Sequence, residues 1–410
     1  MKKLLLVLLI LSLFINHLNA NEKDLQIIQK DKKEYRLLEK ESIQTRQQSQ
    51  KYDWISPIDL SGNIGRNHSF SDENSRNLNN KNTKSASIGF TQSIFESGGI
   101  GFKMDYADNR FKYEMLSWEN QNSQLIYTIY NTLLDIKKLK LEINQNDYRI
   151  VNKDIELIIK KIQYEAGKTD IIELNNAIMS KNLILKEEIA LKNSLKEKEQ
   201  ELAKYTDLKY DEIEILDFQE TNKEIFLDKN YSILEADAKV EMLNIEYKIK
   251  KSQYLPKLSL SAKASYSNQD EKFNSMINDT NKDDATSSGS LILSMPLYDY
   301  TKSSKIQESK IEVLKQKALV NDLKNETAFE YEQIFTKIDT YLKQNETINK
   351  NIKLYEELIG ANQISSEAGM TSKYDLEILE NTKTINEFDI LINKINILQQ
   401  YAKLYFKIKN

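Results

Sequence analysis

The sequence has no cysteine, three prolines, ten glycines and two histidines in 410 residues. Without a thiol there is no disulfide framework, no cysteine zinc cluster and no cysteine nucleophile. His68 is the only histidine beyond the first twenty residues, so histidine-based catalysis is close to excluded. So little Gly and Pro leaves few turns, which argues against a loop-rich globular enzyme. Charge of one sign is also missing: 58 Lys and Arg face 62 Asp and Glu, a formal net charge of −4 with no signature of a nucleic-acid partner. What is abundant is Lys, Glu, Leu, Ile and Asn, as in long amphipathic helices. At 29% charged and 40% hydrophobic, the chain is neither disordered nor a helical membrane protein.

The one sustained apolar run stands at the start. Lys2 and Lys3 precede the stretch Leu4 to Phe14, and Leu18-Asn19-Ala20 gives a small-residue exit, so the pattern predicts a secretory signal peptide cleaved after Ala20. The alternative, a membrane anchor, needs about 20 apolar residues, roughly twice what is present. Removing Lys2 and Lys3 takes the net charge from −4 to −6.

Two halves of the sequence repeat one another. YEAGKTDIIEL (Tyr164 to Leu174) and SEAGMTSKYDL (Ser366 to Leu376) share Glu-Ala-Gly-x-Thr, and Gly167 and Gly369 lie 202 residues apart. QSIFESGG (from Gln92) corresponds to MPLYDYTK (from Met295) at an offset of 203, and SPIDLSGNIG (from Ser56) to LPKLSLSAKA (from Leu255) at 199. Three landmarks in the same order with near-constant spacing predict a duplicated unit, with a period too long for a solenoid.

Within each unit, Pro57, Pro256 and Pro296 sit at the edges of segments that alternate like strands, where a missing N–H is tolerated. Four strands are expected, marked by Ile58, Leu60 and Ile64, by Ile88 and Phe90, by Leu258, Leu260, Ala262, Ala264 and Tyr266, and by Leu291, Leu293 and Met295. Strands of about 10 to 13 residues suit a tilted membrane-spanning strand. The polar stretches Arg66 to Ser85, which contains His68, and Ser267 to Ser288 read as hairpin loops.

The remainder reads as helix. Phe102 to Ala166 contains neither Pro nor Gly, and Lys302 to Ala368 contains one Gly. Val151, Ile155, Ile158 and Ile162, and Phe388, Leu391, Ile395, Leu398, Ala402 and Tyr405, step by three and four, which predicts coiled-coil seams. Gly167 and Gly369 fall where each long helix must reverse. Four spanning strands leave two edges of unpaired amides, each costing several kcal/mol in hydrocarbon, and barrels need about eight strands or more. Several chains would then have to share one barrel; the alternative is a soluble sheet capping a periplasmic coiled coil.

The segment NYSILEADAKVEMLNIEYKIKKSQYLPKLSLSAKASY (Asn230 to Tyr266) and the step MPLYD (Met295 to Asp299) resemble the TolC-like outer membrane efflux protein family. The resemblance covers essentially the whole mature length; SIFESGG keeps a Gly pair where the second copy has Tyr300-Thr301-Lys302. It implies a mainly α fold with a small β part: long antiparallel helical hairpins forming a tunnel, and four strands per chain contributing to a trimeric, twelve-stranded transmembrane β-barrel. The implied organisation is residues 1–20 signal peptide; 21–55 N-terminal periplasmic segment; 56–229 first repeat, with strand hairpin 57–97, helical hairpin about 100–205 and a connecting segment to 229. Residues 230–410 form the second repeat, with lead-in helix 230–254, strand hairpin 255–298 and helical hairpin about 301–409.

The implied function is a passive exit duct of a tripartite efflux pump or type I secretion system, in the outer membrane and extending into the periplasm. Implied partners are two further copies, a periplasmic membrane-fusion adaptor, an inner-membrane transporter of RND, ABC or MFS type, and outer-membrane lipid. The adaptor would dock at Gly167, Thr169, Gly369 and Thr371. An Arg frequent in the family four residues before the tip Gly is replaced here by Gln163 and Ser365. Glu173 and Asp375 match acids that line the tunnel entrance in relatives, and are equally suited to being first-turn acids at a helix N-terminus. No Gly-rich phosphate loop, serine elbow or metal-ligand pair is found, so no catalytic residue, cofactor or metal is expected. The competing reading is a soluble periplasmic coiled-coil structural or adaptor protein.

Overall fold

The computed structural model describes residues 25–70, 78–214, 216, 218, 220–270, 282–367 and 372–409. In order these form helix α1 (Lys30–Tyr52), strands β1 (Asp59–Phe70) and β2 (Leu78–Phe95), helices α2 (Gly99–Glu165), α3 (Ile171–Leu202), α4 (Lys223–Asp228) and α5 (Tyr231–Ser252), strands β3 (Lys257–Asp270) and β4 (Lys282–Ser294), and helices α6 (Lys302–Glu367) and α7 (Lys373–Phe406). The expected signal peptide lies outside the described residues.

The two longest helices, of 67 and 66 residues, follow from uninterrupted helix-forming sequence: α2 has glycine only in its first turn, and α6 has Gly360 alone. Helix starts are capped as their sequences dictate. Asp170, Asn222 and Ser372 accept hydrogen bonds from the backbone N–H groups of Glu173, Glu224 and Tyr374. None of the described helices is long and apolar enough to cross a membrane.

The strands form one antiparallel sheet in the order β1-β2-β3-β4, each next to its sequence neighbours. Leu60 pairs with Ile88, Ile88 with Ala264, and Leu260 with Leu291. The register slips between Ser93 and Phe95, a bulge at the base of β2. The four expected strands are present, but they run further than alternation of apolar residues marked them. β2 has 18 residues, and the stretches expected to be hairpin loops are largely strand: β1 continues to Phe70, β2 starts at Leu78, β3 ends at Asp270 and β4 starts at Lys282. His68 is therefore a strand residue opposite Asn80, not a loop residue. The ladder is a backbone structure, and polar side chains that need no burial do not interrupt it.

The chain divides into two compact units. Residues 41–115 and 236–320 form one, which holds the sheet; 116–235 and 321–410, with the N-terminal residues up to 40, form the other, which is helical. Within the helical unit, Phe226, Ile334, Ile338, Leu404 and Ile408 form a buried cluster flanked by Tyr331 and Phe335. Phe406 stacks on Tyr130 at 5.5 Å and meets Phe218 edge-on at 5.6 Å. The C-terminus is tied in by an Asn230–Ile408 bridge and by Lys409 N–H donating to the Lys229 carbonyl at 2.8 Å.

The N-terminal segment of the helical unit is tied by the Gln29 N–H to the Tyr205 carbonyl at 2.8 Å, by the Lys30 N–H to Asp207 at 3.0 Å, and by one buried side chain. Arg36 donates from Nε to Asn122 at 2.6 Å and from its terminal nitrogens to Gln121 at 2.9 Å and the Trp118 carbonyl at 2.8 Å, while Trp118 Nε1 donates back to the Arg36 carbonyl at 2.8 Å. Burial pulls the guanidinium below its ordinary pKa, against the attraction of Glu39.

Candidate functional site

Three features carry chemistry: the two faces of the sheet, the helical reversal, and the helix seam. Residues paired across the sheet lie on the same face. Leu60, Ile64, Ala86, Ile88, Phe90, Ala262, Ala264, Tyr266, Leu258, Leu260, Leu291 and Leu293 therefore share one face. Several are strongly exposed, Leu60 at 79% and Leu293 at 73%. Among the described residues no layer covers this apolar face, so the single chain has no core on that side.

The opposite face is lined with hydroxyls. Ser61 bonds Ser87 at 2.9 Å, Thr91 bonds Ser261 at 3.1 Å, Ser93 bonds Ser259 at 3.3 Å and Ser265 bonds Thr286 at 2.7 Å. Lys263 projects from this face beside Gly89, where a Cβ would sit 3.3 Å from that of Lys263 and 3.0 Å from the Ala262 carbonyl. Apolar alternation located the strands but left this hydroxyl wall unremarked. Its signal is the Ser at every second position of SLSAKASYS, from Ser259, interrupted only at Lys263.

The three prolines border the strands. Pro57 lies just before β1, Pro256 immediately precedes β3, and Pro296 follows the end of β4. At the base of β2, Ser97 has φ +50° and Gly98 φ +86°, and the Ser97 hydroxyl donates to the Pro256 carbonyl at 2.7 Å.

At the reversal between α2 and α3, Gly167 has φ +65°. Its N–H donates to the Tyr164 carbonyl at 2.9 Å, and the Lys168 N–H reaches back to Gln163 at 2.8 Å. That pair of bonds is the Schellman helix stop, which needs a residue free to adopt the left-handed conformation. Thr169 is half-buried in the turn. Glu173 occupies the first turn of α3 and its carboxylate accepts from Lys160 of α2 at 3.0 Å. Asp375 occupies the first turn of α7 and is exposed. Gly369 and Thr371 lie outside the described residues.

The seam between α2 and α7 differs from the expected apolar heptad pattern. Ile155 and Ala402 are buried, but Val151, Ile158, Ile162 and Leu391 are exposed. Amides occupy much of the contact instead. Gln145 donates to Asp389 at 2.7 Å, Asn381 to Asn152 at 2.9 Å, and Gln399 to Asp135 at 2.7 Å. Polar pairs in a helical seam fix its register at a cost in stability. A heptad search, which looks for apolar residues only, passes over them. Lower on α6, Glu330 accepts from Lys403 at 2.8 Å and from Lys407 at 2.5 Å. Burial alone would push the Glu330 carboxyl up, but these two ammonium groups outweigh it and hold it below its ordinary value.

Among the described residues no group of three or more His, Asp or Glu is placed to hold a metal ion.

Comparison with known proteins fits these surfaces. Residues 224–403 match the sequence profile of the outer membrane efflux protein family. None of the curated protein sequences matches significantly. Among solved structures, the Vibrio cholerae outer membrane protein VceC superposes with a TM-score of 0.71 at 13% identity, covering 93% of this chain and 94% of that one. The Campylobacter jejuni CmeC outer membrane channel gives 0.70 at 12% identity, covering 92% and 84%. The open state of the Neisseria gonorrhoeae MtrE outer membrane channel gives 0.67 at 11%, covering 94% and 87%. At such identities the superpositions establish the fold alone, and the profile match is confined to residues 224–403. Residues 224–403 thus resemble the outer membrane efflux protein family, and the chain carries the fold of the outer-membrane channels on which it superposes.

Proposed function

We propose that three copies of this chain close their sheets into one barrel of twelve strands and act as the exit duct of a tripartite efflux pump or type I secretion system. The observation that carries this reading is the sheet itself. It has an apolar face with nothing over it, a face of hydroxyls, and unpaired outer edges on β1 and β4. Hydrocarbon satisfies the first face and water the second; only further strands satisfy the edges.

In this reading residues 1–20 are the signal peptide that directs export, residues 21–55 are periplasmic, and the two repeats run from 56 to 229 and from 230 to 410. The reversal at Gly167 and Thr169, with its counterpart at Gly369 and Thr371, receives a periplasmic adaptor, which links the duct to an inner-membrane transporter that supplies the energy. Glu173 and Asp375 line the entrance. Because Glu173 is already paired with Lys160, Asp375 carries most of the negative field there.

The test is the purified protein itself. A detergent-extracted trimer that survives mild SDS, dissociates on boiling and conducts ions in a planar bilayer is the expected result. A folded monomer soluble without detergent overturns the reading in favour of a soluble coiled-coil protein. Capture of the cross-linked complex from cells then identifies the transporter.

A further inference from the structure

We propose that the strand–helix junctions at the base of the sheet form a cationic collar that binds the headgroups of anionic phospholipids. The inference rests on the membrane reading of the sheet. α5 closes on Lys248, Lys250 and Lys251, β3 opens at Lys257, and α6 opens with Lys302 and Lys305; Lys103 lies near the start of α2. The same junctions hold five acids, Glu96, Asp105, Glu246, Asp299 and Glu308. Seven cations against five acids leave a net +2 there, in a chain whose total is −4. The approach to β1 adds Lys51, Asp53 and Asp59, a net −1.

The partners of these lysines matter as much as their number. Lys103 is paired with Glu96, and Lys305 lies 3.8 Å from Asp299. Lys248, Lys251 and Lys302 instead rest over aromatic rings: Phe102 at 5.8 Å, Tyr247 at 5.5 Å and Tyr254 at 5.4 Å. Among the described residues none of these three, nor Lys250, is in an ion pair. An ammonium over a ring keeps its charge and its outward N–H donors, so each remains free to bind a phosphate oxygen.

The surroundings point to a lipid surface. Leu255, between Lys251 and Lys257, is exposed, and so are Tyr52 before β1 and Leu260 on the apolar face of β3. Cations and aromatic rings bordering an uncovered apolar sheet face match the boundary between hydrocarbon and headgroups. Near an anionic surface each basic residue contributes about 1 kcal/mol of attraction, roughly a fivefold gain in occupancy.

The experiment is native mass spectrometry of the folded, detergent-extracted assembly, titrated with phosphatidylglycerol or with phosphatidylcholine of the same acyl chains. Wild type should retain phosphatidylglycerol about tenfold more tightly, and the preference should collapse in Lys248→Gln/Lys250→Gln/Lys251→Gln/Lys302→Gln. It should persist in a control with Lys337, Lys350, Lys353 and Lys373 changed to Gln. Raising salt on the unmodified protein is the second measurement, because screening should erase the preference without any substitution. Equal retention of both lipids by wild type, or a preference indifferent to salt and to the four substitutions, overturns the collar and leaves the duct standing. Retention of neither lipid overturns the membrane reading and the collar with it.

Discussion

After β2 the chain turns into α2 under cover, whereas after β4 the corresponding turn into α6 stands open. In the first junction Glu96 is 9% exposed, Ser97 bonds the Pro256 carbonyl, and Gly99 lies so close to Glu96 and Ser252 that a Cβ would meet both at 3.0 Å. In the second, Leu297, Tyr298 and Tyr300 are 90%, 85% and 87% exposed. The sequences correspond, and Asp299 holds the place of Glu96. What differs is the neighbour: β2 has β3 beside it, and among the described residues β4 has no strand on its outer side. In the proposed barrel, this apolar turn, uncovered in the single chain, is where a second copy supplies the β1 side.

The covered junction then dictates the geometry of the open one. Tyr298 stands 203 positions after Phe95, and Pro256 stands 199 after Pro57, so the observed pair Phe95–Leu258 translates to Tyr298 opposite Asp59 of the next copy. Counting back along antiparallel strands paired without the bulge that β2 has between Ser93 and Phe95 puts Leu293 opposite Ile64 and Leu297 opposite Leu60, apolar on apolar. The largest expected effect follows. Because the chain has no cysteine, Ile64→Cys with Leu293→Cys should convert most chains to covalent oligomers under a short thiol cross-linker, read on a denaturing gel. A pair one register out, Ile64→Cys with Ile292→Cys, should give little. Equal yields from both pairs would end the comparison between the junctions.

A smaller effect separates the junctions by packing. Gly99→Ala should cost about 1–3 kcal/mol, because the added methyl must displace Glu96 and Ser252. At the counterpart position, Lys302→Ala should stay within about 0.5 kcal/mol, since Lys302 is exposed. Reversible urea unfolding in uncharged phosphatidylcholine vesicles measures both. Comparable losses would mean that the second junction is as tightly packed as the first, contrary to its exposure in the chain.

Much of this was legible before any coordinates. Alternating Leu, Ile and Ala beside three rare prolines marked four strands, and the absence of Gly and Pro from Phe102 to Ala166 marked a very long helix. The strand ends were not legible, because Asn, Asp and Ser pair through their backbones as readily as Leu does. His68 went astray for that reason. The amide contacts of Gln145, Asn152 and Gln399 escaped because heptad patterns register apolar repetition. Arg36 could not be found from spacing at all, since its partners Asn122 and Trp118 lie more than 80 residues away.

The smallest expected effect concerns the helical reversal, where the two repeats again differ. Glu173 and Asp375 hold equivalent first-turn positions, and a helix N-terminus favours either acid. Their surroundings are unequal, because Lys160 bonds the Glu173 carboxylate at 3.0 Å while the Asp375 carboxylate is exposed. A paired acid projects little field into solvent. In planar bilayers, Asp375→Asn should therefore lower cation preference and raise conductance by up to about twofold, with Glu173→Gln alone changing either much less. The double variant should add little to Asp375→Asn. If Glu173→Gln gives the larger shift, Lys160 does not neutralise it in the assembled entrance, and the pairing seen in the single chain is broken when the copies come together.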